Sequence, residues 1–296
     1  MRITDRMTSD RVLYNIQKTI TQIAKLHDEI SSGSKVRYPS DDAVLATRSS
    51  NLDSRLRELQ QYERNVNYVQ NLVKGYDTSI QQVSELYQRI RELLVQASNG
   101  TLTADQRNAI SEEIKRIKQQ LIQIANTQVG SDYIFAGLDG SKPPVSEDGE
   151  IMVKPEALRS RTTMVLGYPL EFGINVKDIF VTDGNQSVFS LIDMTLKALE
   201  RNDPKFLSDV ALAGVNYLEK SVSENLAKVG ATQRMVEAAA NRIVDLNNFM
   251  TEHLSKERDV DITEAVTELS MKQAVLNAAL KSAANLLRST LVDYIS

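Results

Sequence analysis

The stretch Val66–Leu94, with the sequence VNYVQNLVKGYDTSIQQVSELYQRIRELL, governs the architecture of this chain. An apolar residue recurs at every seventh position along it, and a second apolar series is offset from the first by three residues. A 3-4 spacing held over this length is typical of long helices that pack side by side in a coiled coil or bundle. The first series begins upstream of the stretch and comprises Leu45, Leu52, Leu59, Val66, Val73, Ile80, Tyr87 and Leu94.

The pattern returns in the last third of the chain. Two such regions on either side of a centre rich in Gly and Pro are predicted to pair lengthwise. The predicted fold class is therefore mainly α: a rod of long coiled-coil or bundled helices, formed by paired N- and C-terminal regions, with a small β-rich insertion in the middle. The later apolar series comprises Val222, Leu226, Val229, Val236, Ala240, Ile243, Met250 and Leu254.

Composition excludes several classes of protein. The 296 residues are 42% hydrophobic and 25% charged, which is typical of a globular chain rather than a disordered one. The net charge of −4 gives no reason to expect nucleic acid as a partner. The chain has no Cys, so disulfides and thiolate metal sites are excluded. No apolar run approaches the roughly 20 residues that would cross a bilayer, so membrane insertion is not predicted.

Breaker residues mark where the helices stop. Seven of the twelve Gly lie in 130–184 and four of the six Pro lie in 143–169. Short strand-like runs within 138–187, together with the run Tyr133–Gly137 just before that segment, predict a small β-rich module that is separate from the helices. The central runs are Ile151–Val153, Met164–Leu166 and Ile179–Val181.

Helix ends also carry local signals. Gly33 suits the left-handed conformation that closes a first helix over 1–32. Ser40 is predicted to cap the start of the next helix. Thr103 and Gln106 form the capping-box pattern that begins a third helix.

The terminal helices are predicted to form an assembly interface. Each presents one apolar stripe, and burial of a single stripe does not offset the conformational entropy lost on ordering an isolated helix of this length. The two ends are therefore expected to pair with each other, and more fully with the ends of other copies. The predicted interface residues are Leu13, Ile16, Ile20, Ile23, Ile30, Leu269, Leu276, Leu280 and Leu287.

The residues that could carry chemistry have simpler explanations. His27 and His253 are the only histidines, and polar positions in a helical seam explain both. The acid pairs Asp41–Asp42 and Glu112–Glu113 fit a helix cap and a solvated helix face. The sequence has no Gly-rich phosphate loop and no metal-ligand spacing. We therefore predict that the chain is not an enzyme and has no catalytic, cofactor or metal site.

Several segments, in the same order along the chain, resemble the bacterial flagellins. They are LHDEISSG at 26–33 with PSDDA at 39–43, RIRELLVQASNGTLTADQRNAISEEI at 89–114, 229–247, and DVDITEAVTELS at 259–270. The resemblance covers nearly all of 1–137 and 220–296. Within this superfamily, YIFAG at 133–137 and LVDYI at 291–295 look more like the branch of hook–filament junction proteins.

The resemblance implies a division into five parts. Residues 1–40 and 256–296 would be the two helices of an inner assembly domain. Residues 41–137 and 188–255 would be the two parts of an outer helical bundle. Residues 138–187 would be the small β-rich insertion.

The resemblance also implies a function and a set of partners. The chain would be a structural subunit that joins the ring of hook-associated protein to the flagellin filament. It would form a homo-oligomeric ring, contact a neighbouring hook-associated protein and flagellin, and bind an export chaperone. It would lie outside the cell on the flagellum, exported through the type III channel without a cleavable signal peptide.

Exposed polar residues of the 89–114 segment are predicted to contact other subunits, as the corresponding stretch does in flagellins. These residues are Arg89, Arg91, Glu92 and Gln96, whereas their apolar neighbours Ile90 and Leu94 pack inside the bundle. Packing within one chain is the alternative explanation for the polar residues as well.

Two other functions fit the same sequence. The chain could be flagellin itself, the subunit of the filament. A cytoplasmic coiled-coil scaffold is the alternative from another class, because heptads alone suit any such scaffold.

Overall fold

The computed structural model of the protein describes residues 2–98 and 102–295, except for the side chains of 2–6, 8 and 285–295. The described chain divides into two compact units. The terminal unit comprises Met1–Glu58 and Leu246–Ser296, and the central unit comprises Leu59–Asp245. The predicted mainly α fold class is confirmed, since long helices carry both units and the strands are few and short. The five-part division into inner domain, outer bundle and insertion stays a prediction.

Two complete helices and parts of two others build the terminal unit. Helix α1 spans Arg2–Ser32 and helix α8 spans Ile262–Ile295. The first residues of α2 (Ala43–Ser98) and the last residues of α7 (Leu212–Arg258) also belong to this unit. Gly33 ends α1 with φ of 68°, as predicted.

The cap of α2 differs from the prediction. The backbone N–H groups of Val44 and Leu45 both donate to Oδ1 of Asp42, at 2.9 Å each, so Asp42 rather than Ser40 satisfies the first turn. The neighbouring Asp41 stabilises the turn before the helix, where its carboxylate accepts from the backbone N–H of Tyr38 at 2.9 Å. Both members of this acid pair therefore have structural roles.

The central unit is a helical bundle with one contiguous core. Helices α2, α3 (Ala104–Ala125), α5 (Val188–Arg201) and α7 contribute to it. The capping box of α3 is confirmed, because Thr103 Oγ1 accepts from the Gln106 N–H at 3.3 Å and the Gln106 side chain accepts from the Thr103 N–H at 3.0 Å. The heptad residues of α2 that lie in this core are Val66, Val69, Val73, Tyr76, Ile80, Val83, Tyr87, Ile90, Leu94 and Ala97.

Two short antiparallel sheets lie in the middle of the sequence. Strands β1 (Gln128–Val129) and β2 (Asp132–Tyr133) form one, and strands β3 (Arg161–Val165) and β4 (Tyr168–Phe172) form the other. The second sheet is a hairpin in which Arg161 is opposite Phe172 and Val165 is opposite Tyr168.

Three strand predictions in this region need correction. The prediction of a strand at 179–181 is wrong, because the first two of these residues end the short helix α4 (Val176–Phe180). In the run at 133–137 only the first residue is in a strand, and Ile134–Ala136 form a 3-10 turn. The run at 164–166 contributes two residues to β3, and Leu166 lies in the hairpin turn with φ of 52°.

The middle segment is not the separate module that its breaker residues suggest. Its apolar side chains belong to the same core as the helices, and the Tyr87 hydroxyl of α2 donates to the backbone O of Ile179 at 2.9 Å. The core residues from this segment are Val145, Val165, Leu170, Phe172, Ile174, Val176, Ile179 and Phe180.

Helix α5 ends and α7 begins with local irregularity. Asn202, with φ of 54°, closes α5 in the left-handed conformation. The short helix α6 (Pro204–Phe206) continues through a π-helical turn at Leu207–Ala211 into α7. The apolar series from Val222 to Leu254 therefore lies in one long helix, α7, which follows an irregular turn.

Candidate assembly surface

Helices α1 and α8 lie against each other in the terminal unit and run antiparallel. The backbone N–H of Val260, just before α8, donates to the O of Gly33 at 3.0 Å. Farther along the pair, the Lys272 ammonium donates to Oε1 of Gln22 at 3.0 Å. The contact residue number falls from 33 to 22 on the α1 side while it rises from 260 to 272 on the α8 side, so the two helices are antiparallel.

The seam between the two helices uses part of the predicted interface. Ile16 is buried, and Ile23 and Ile30 are half-buried on α1. Leu269 and Leu276 are half-buried on α8, close to the buried Ala265. These residues fall near the helix–helix seam, so much of their apolar surface is covered inside one chain.

Other residues of the predicted interface remain exposed. Leu13, Ile20 and Leu280 have about half of their surface in solvent, at 54%, 50% and 48%. Leu287 lies in α8, but its side chain is outside the described part of the structure. The structure therefore divides the predicted set into side chains that form the seam and side chains that are available to another molecule.

Four exposed apolar residues of α8 were not in the predicted interface. Ile262 and Val266 lie seven and three positions before Leu269, so they continue the 3-4 spacing of the predicted residues, and that spacing was a signal for them. Met271 and Val275 lie outside the heptad phase, so periodicity alone misses them. All four are between 45% and 60% exposed.

The predicted outer contacts on α2 form ion pairs inside the central unit. Nε of Arg89 lies 2.6 Å from Oε1 of Glu113 on α3, and its Nη1 lies 2.9 Å from Oε2 of Glu92. Nε of Arg91 lies 3.3 Å from Oε1 of Glu219 on α7. The hydrogen bonds that Arg89 donates to Glu113, and then to Glu92, raise the pKa of Arg89.

These four residues nevertheless remain on the surface. Gln96, Arg89, Arg91 and Glu92 are all exposed, although three of them pair within the chain. Exposed ion pairs of this kind contribute little to folding. Their role in contacts between subunits stays a prediction.

A buried arginine on β3 was missed in the sequence. Nε of Arg161 donates to the backbone O of Gly137 at 2.7 Å, and its Nη2 donates to the backbone O of Tyr133 at 3.2 Å. Its Nη1 donates to the Tyr68 hydroxyl at 3.2 Å and lies 3.3 Å from Oδ2 of Asp132. One guanidinium therefore ties the hairpin to α2 and to the YIFAG segment. No motif signals it, because its two backbone and two side-chain partners all lie 24 or more positions away in sequence.

Two buried tyrosines reinforce the same region. The Tyr76 hydroxyl donates to the backbone O of Ile134 at 2.6 Å, and burial raises its pKa to about 12. Burial also raises the pKa of Tyr87 well above its ordinary value. Both phenols are kept neutral because their rings lie in the core and a phenolate there would lose its hydration.

Two more of the residues that could carry chemistry, Glu112 and His253, have structural partners. The carboxylate of Glu112 pairs with the Lys115 ammonium at 2.8 Å, and the ring of His253 lies against Phe249 with centroids 4.5 Å apart. Within residues 2–98 and 102–295, no group of three or more His, Asp or Glu is placed to hold a metal ion. In the same described residues, no helix has the length and hydropathy needed to span a bilayer.

Comparison with known families identifies both ends of the chain. The family model described as the bacterial flagellin N-terminal helical region matches residues 3–139. The model described as the bacterial flagellin C-terminal helical region matches residues 212–295. Together the two matches cover about three quarters of the sequence, and each lies at its expected end.

Individual relatives extend the similarity through the middle. Flagellar hook-associated protein 3 of Escherichia coli is 25% identical over 304 residues, which cover 95% of this chain and 96% of that protein. Polar flagellin A of Vibrio parahaemolyticus is 26% identical, and the match covers 87% of this chain and 73% of the flagellin. The solved structure of a Vibrio parahaemolyticus flagellar hook-associated protein has a TM-score of 0.67 and 18% identity, and covers 74% of this chain and 100% of that one. The structural likeness concerns the fold alone.

Proposed function

Because this chain belongs to the bacterial flagellin family, we propose that it is the structural subunit that joins the hook to the flagellin filament. The observation that carries the proposal is the similarity to a hook-associated protein 3 along 95% of this chain and 96% of that relative. A match of this extent covers the middle of the chain, which the two family models leave unmatched.

The geometry of the terminal unit supports a mechanical role. Helices α1 and α8 pair along a seam and leave half-exposed aliphatic side chains along their length. Such surface is costly in water and is stabilised when another apolar surface covers it. We propose that the terminal helices of many copies pack together in a ring, while the central unit faces neighbouring subunits.

The partners follow from the same proposal. One side of the ring would contact another hook-associated protein and the other side would contact the first flagellin subunits. An export chaperone would protect the exposed apolar surface of α8 before assembly. The chain would act outside the cell after export without signal cleavage, and it would have no enzymatic activity.

Electron microscopy of a deletion strain tests this function. Loss of the gene should give hooks without filaments, with flagellin shed into the medium, and expression of this chain should restore the filaments. A deletion strain that still carries normal filaments would refute the proposal.

Polymerisation separates the proposal from the flagellin alternative, which the similarity to polar flagellin A keeps open. Purified flagellin should grow into long filaments from seeds, whereas a junction subunit should remain as monomers or short assemblies. Fractionation addresses the scaffold alternative, because a cytoplasmic scaffold would be absent from purified flagella.

A further inference from the structure

The two sides of the α1–α8 pair differ in chemistry. Successive residues of a helix are rotated by about 100°, so each position can be assigned to the seam, to one of two flanks, or to the face that points away from the seam. Each helix is viewed from its own N-terminus to its own C-terminus. Because the two helices are antiparallel, the flank that lies clockwise from the seam on one helix is on the same side of the pair as the clockwise flank of the other. On one such side the exposed aliphatic residues of both helices come together: Leu13, Ile20, Ile262, Val266 and Leu280.

Between the seam and the outward-facing edge, where Asp10, Asp28 and Lys281 lie, this side has no Asp, Glu, Lys or Arg over 9–31 of α1 and 262–284 of α8, and we call it the uncharged face. The remaining positions on it are small or amide residues and His27. These five half-exposed aliphatic side chains, spaced along both helices, leave on the order of 400 Å² of apolar surface in total. Apolar surface of this extent is stabilised when another surface covers it.

The opposite side carries charges and a smaller apolar strip. Lys18 and Lys25 lie on the α1 flank, and Glu264 and Glu268 lie on the α8 flank. Between these acids and the end of the helix, Met271 and Val275 are both more than half exposed, one turn apart. We call these two residues the Met–Val strip.

We propose that the uncharged face of one copy docks on the Met–Val strip of the next copy. The inference rests on the proposed function, in which the terminal helices assemble in a ring. A ring needs a contact between two different surfaces, since a surface that meets its own copy gives only a closed dimer. The uncharged face and the Met–Val strip lie on opposite sides of one helix pair, so their contact passes from copy to copy. The charges beside the strip stay at the rim in water.

The size of the contact explains when it forms. The uncharged face and the smaller Met–Val strip together bury less than about 800 Å², which is below the roughly 1,200 Å² of a standard stable interface. A free copy therefore stays monomeric. Within a ring each copy makes the contact twice, once through each side, and neighbouring flagellar proteins hold the copies in place.

Disulfide crosslinking tests the docking, because the natural chain has no Cys. The double variant V266C/V275C places one thiol on each proposed surface. The two positions are nine residues apart on opposite sides of α8, about 13 Å along the axis, so a bond within one copy is not possible. In oxidised flagella from a complemented deletion strain, we expect a ladder of multimers.

The matched control is V266C/A274C. Ala274 is exposed and adjacent to Val275, but it faces away from the seam, so this variant should stay monomeric. Efficient dimers from V266C alone would show that the uncharged face meets its own copy, and would overturn the proposal. So would crosslinks to a foreign protein, or an absence of multimers in filament-bearing cells whose flagella contain the chain. Absence of the chain from flagella would instead refute the proposed function.

Discussion

Ile90 on α2 offers a direct test of the helical phase in the central unit. The side chain is 1% exposed and belongs to the main core. Replacing it with Asp removes about 2–3 kcal/mol of apolar burial. Placing an unpaired carboxylate at the site adds at least about 2–3 kcal/mol. We therefore expect Ile90→Asp to lower the free energy of unfolding by about 5 kcal/mol, a large part of the stability of an ordinary domain.

Urea unfolding followed by near-UV circular dichroism is the appropriate assay. The chain has no Trp, so this signal comes from Tyr and Phe rings, and Tyr76 and Tyr87 are buried in the central unit. Two variants serve as controls. Ile90→Asn has nearly the same shape as Ile90→Asp without the charge. Arg89→Ala changes the adjacent residue, whose side chain is 49% exposed, and should alter the midpoint far less.

The difference in the free energy of unfolding between Ile90→Asp and Ile90→Asn should depend on pH. A buried carboxyl has a pKa above its unfolded value of about 3.9. The extra cost of Asp is therefore small near that pH and grows as the pH rises through the folded pKa. If Ile90→Asp and Arg89→Ala unfolded at the same urea concentration, the assignment of Ile90 to the core would be wrong.

Other predictions concern pH, the buried arginine, the middle segment and assembly. Because the pKa of Tyr76 is raised to about 12, its contribution to stability is complete below pH 10 and is lost by pH 12, about 2–3 kcal/mol in all. Alkaline unfolding of Tyr76→Phe should show a smaller loss over this range, and an unchanged profile would contradict the assignment. Arg161→Met should destabilise the central unit by about 2–4 kcal/mol, because it leaves buried carbonyls without a donor; thermal melting near that of the parent would exclude this role. Deletion of 143–184 should unfold the central unit, seen as loss of near-UV dichroism, and a retained native spectrum would restore the idea of a separate module. Leu280→Asp should leave urea unfolding of the monomer nearly unchanged, since the side chain is half exposed, yet should abolish filament attachment in cells; normal filaments would remove Leu280 from the interface.

The helical regions could be read from the sequence because their signals are local. The heptads of α2 repeat every two turns, so they specify a buried face whatever the partner helix is. Gly33 and the Thr103–Gln106 box act within a few residues of themselves, and both were predicted correctly. The flagellin resemblance was carried by these same helical ends.

The middle of the chain could not be read in the same way. The 179–181 run has the composition of a strand, yet Ile179 and Phe180 lie in a short helix because both side chains reach the core from that conformation. Arg161 is buried because four acceptors, one on α2 and three within 132–137, surround its guanidinium. Contacts between residues far apart in sequence leave no periodic signal, so propensity and spacing cannot reveal them.

The assembly surface falls between these two cases. Apolar periodicity identified the terminal helices as partners for each other and for further copies. It could not separate Ile16, which is buried in the seam, from Leu13 and Ile20, which remain exposed on a flank of the same helix. When a helix has apolar residues on more than one flank, several of its faces have a similar tendency to be buried. Which face is covered depends on the antiparallel docking of α8, a contact set by residues more than 200 positions away along the chain.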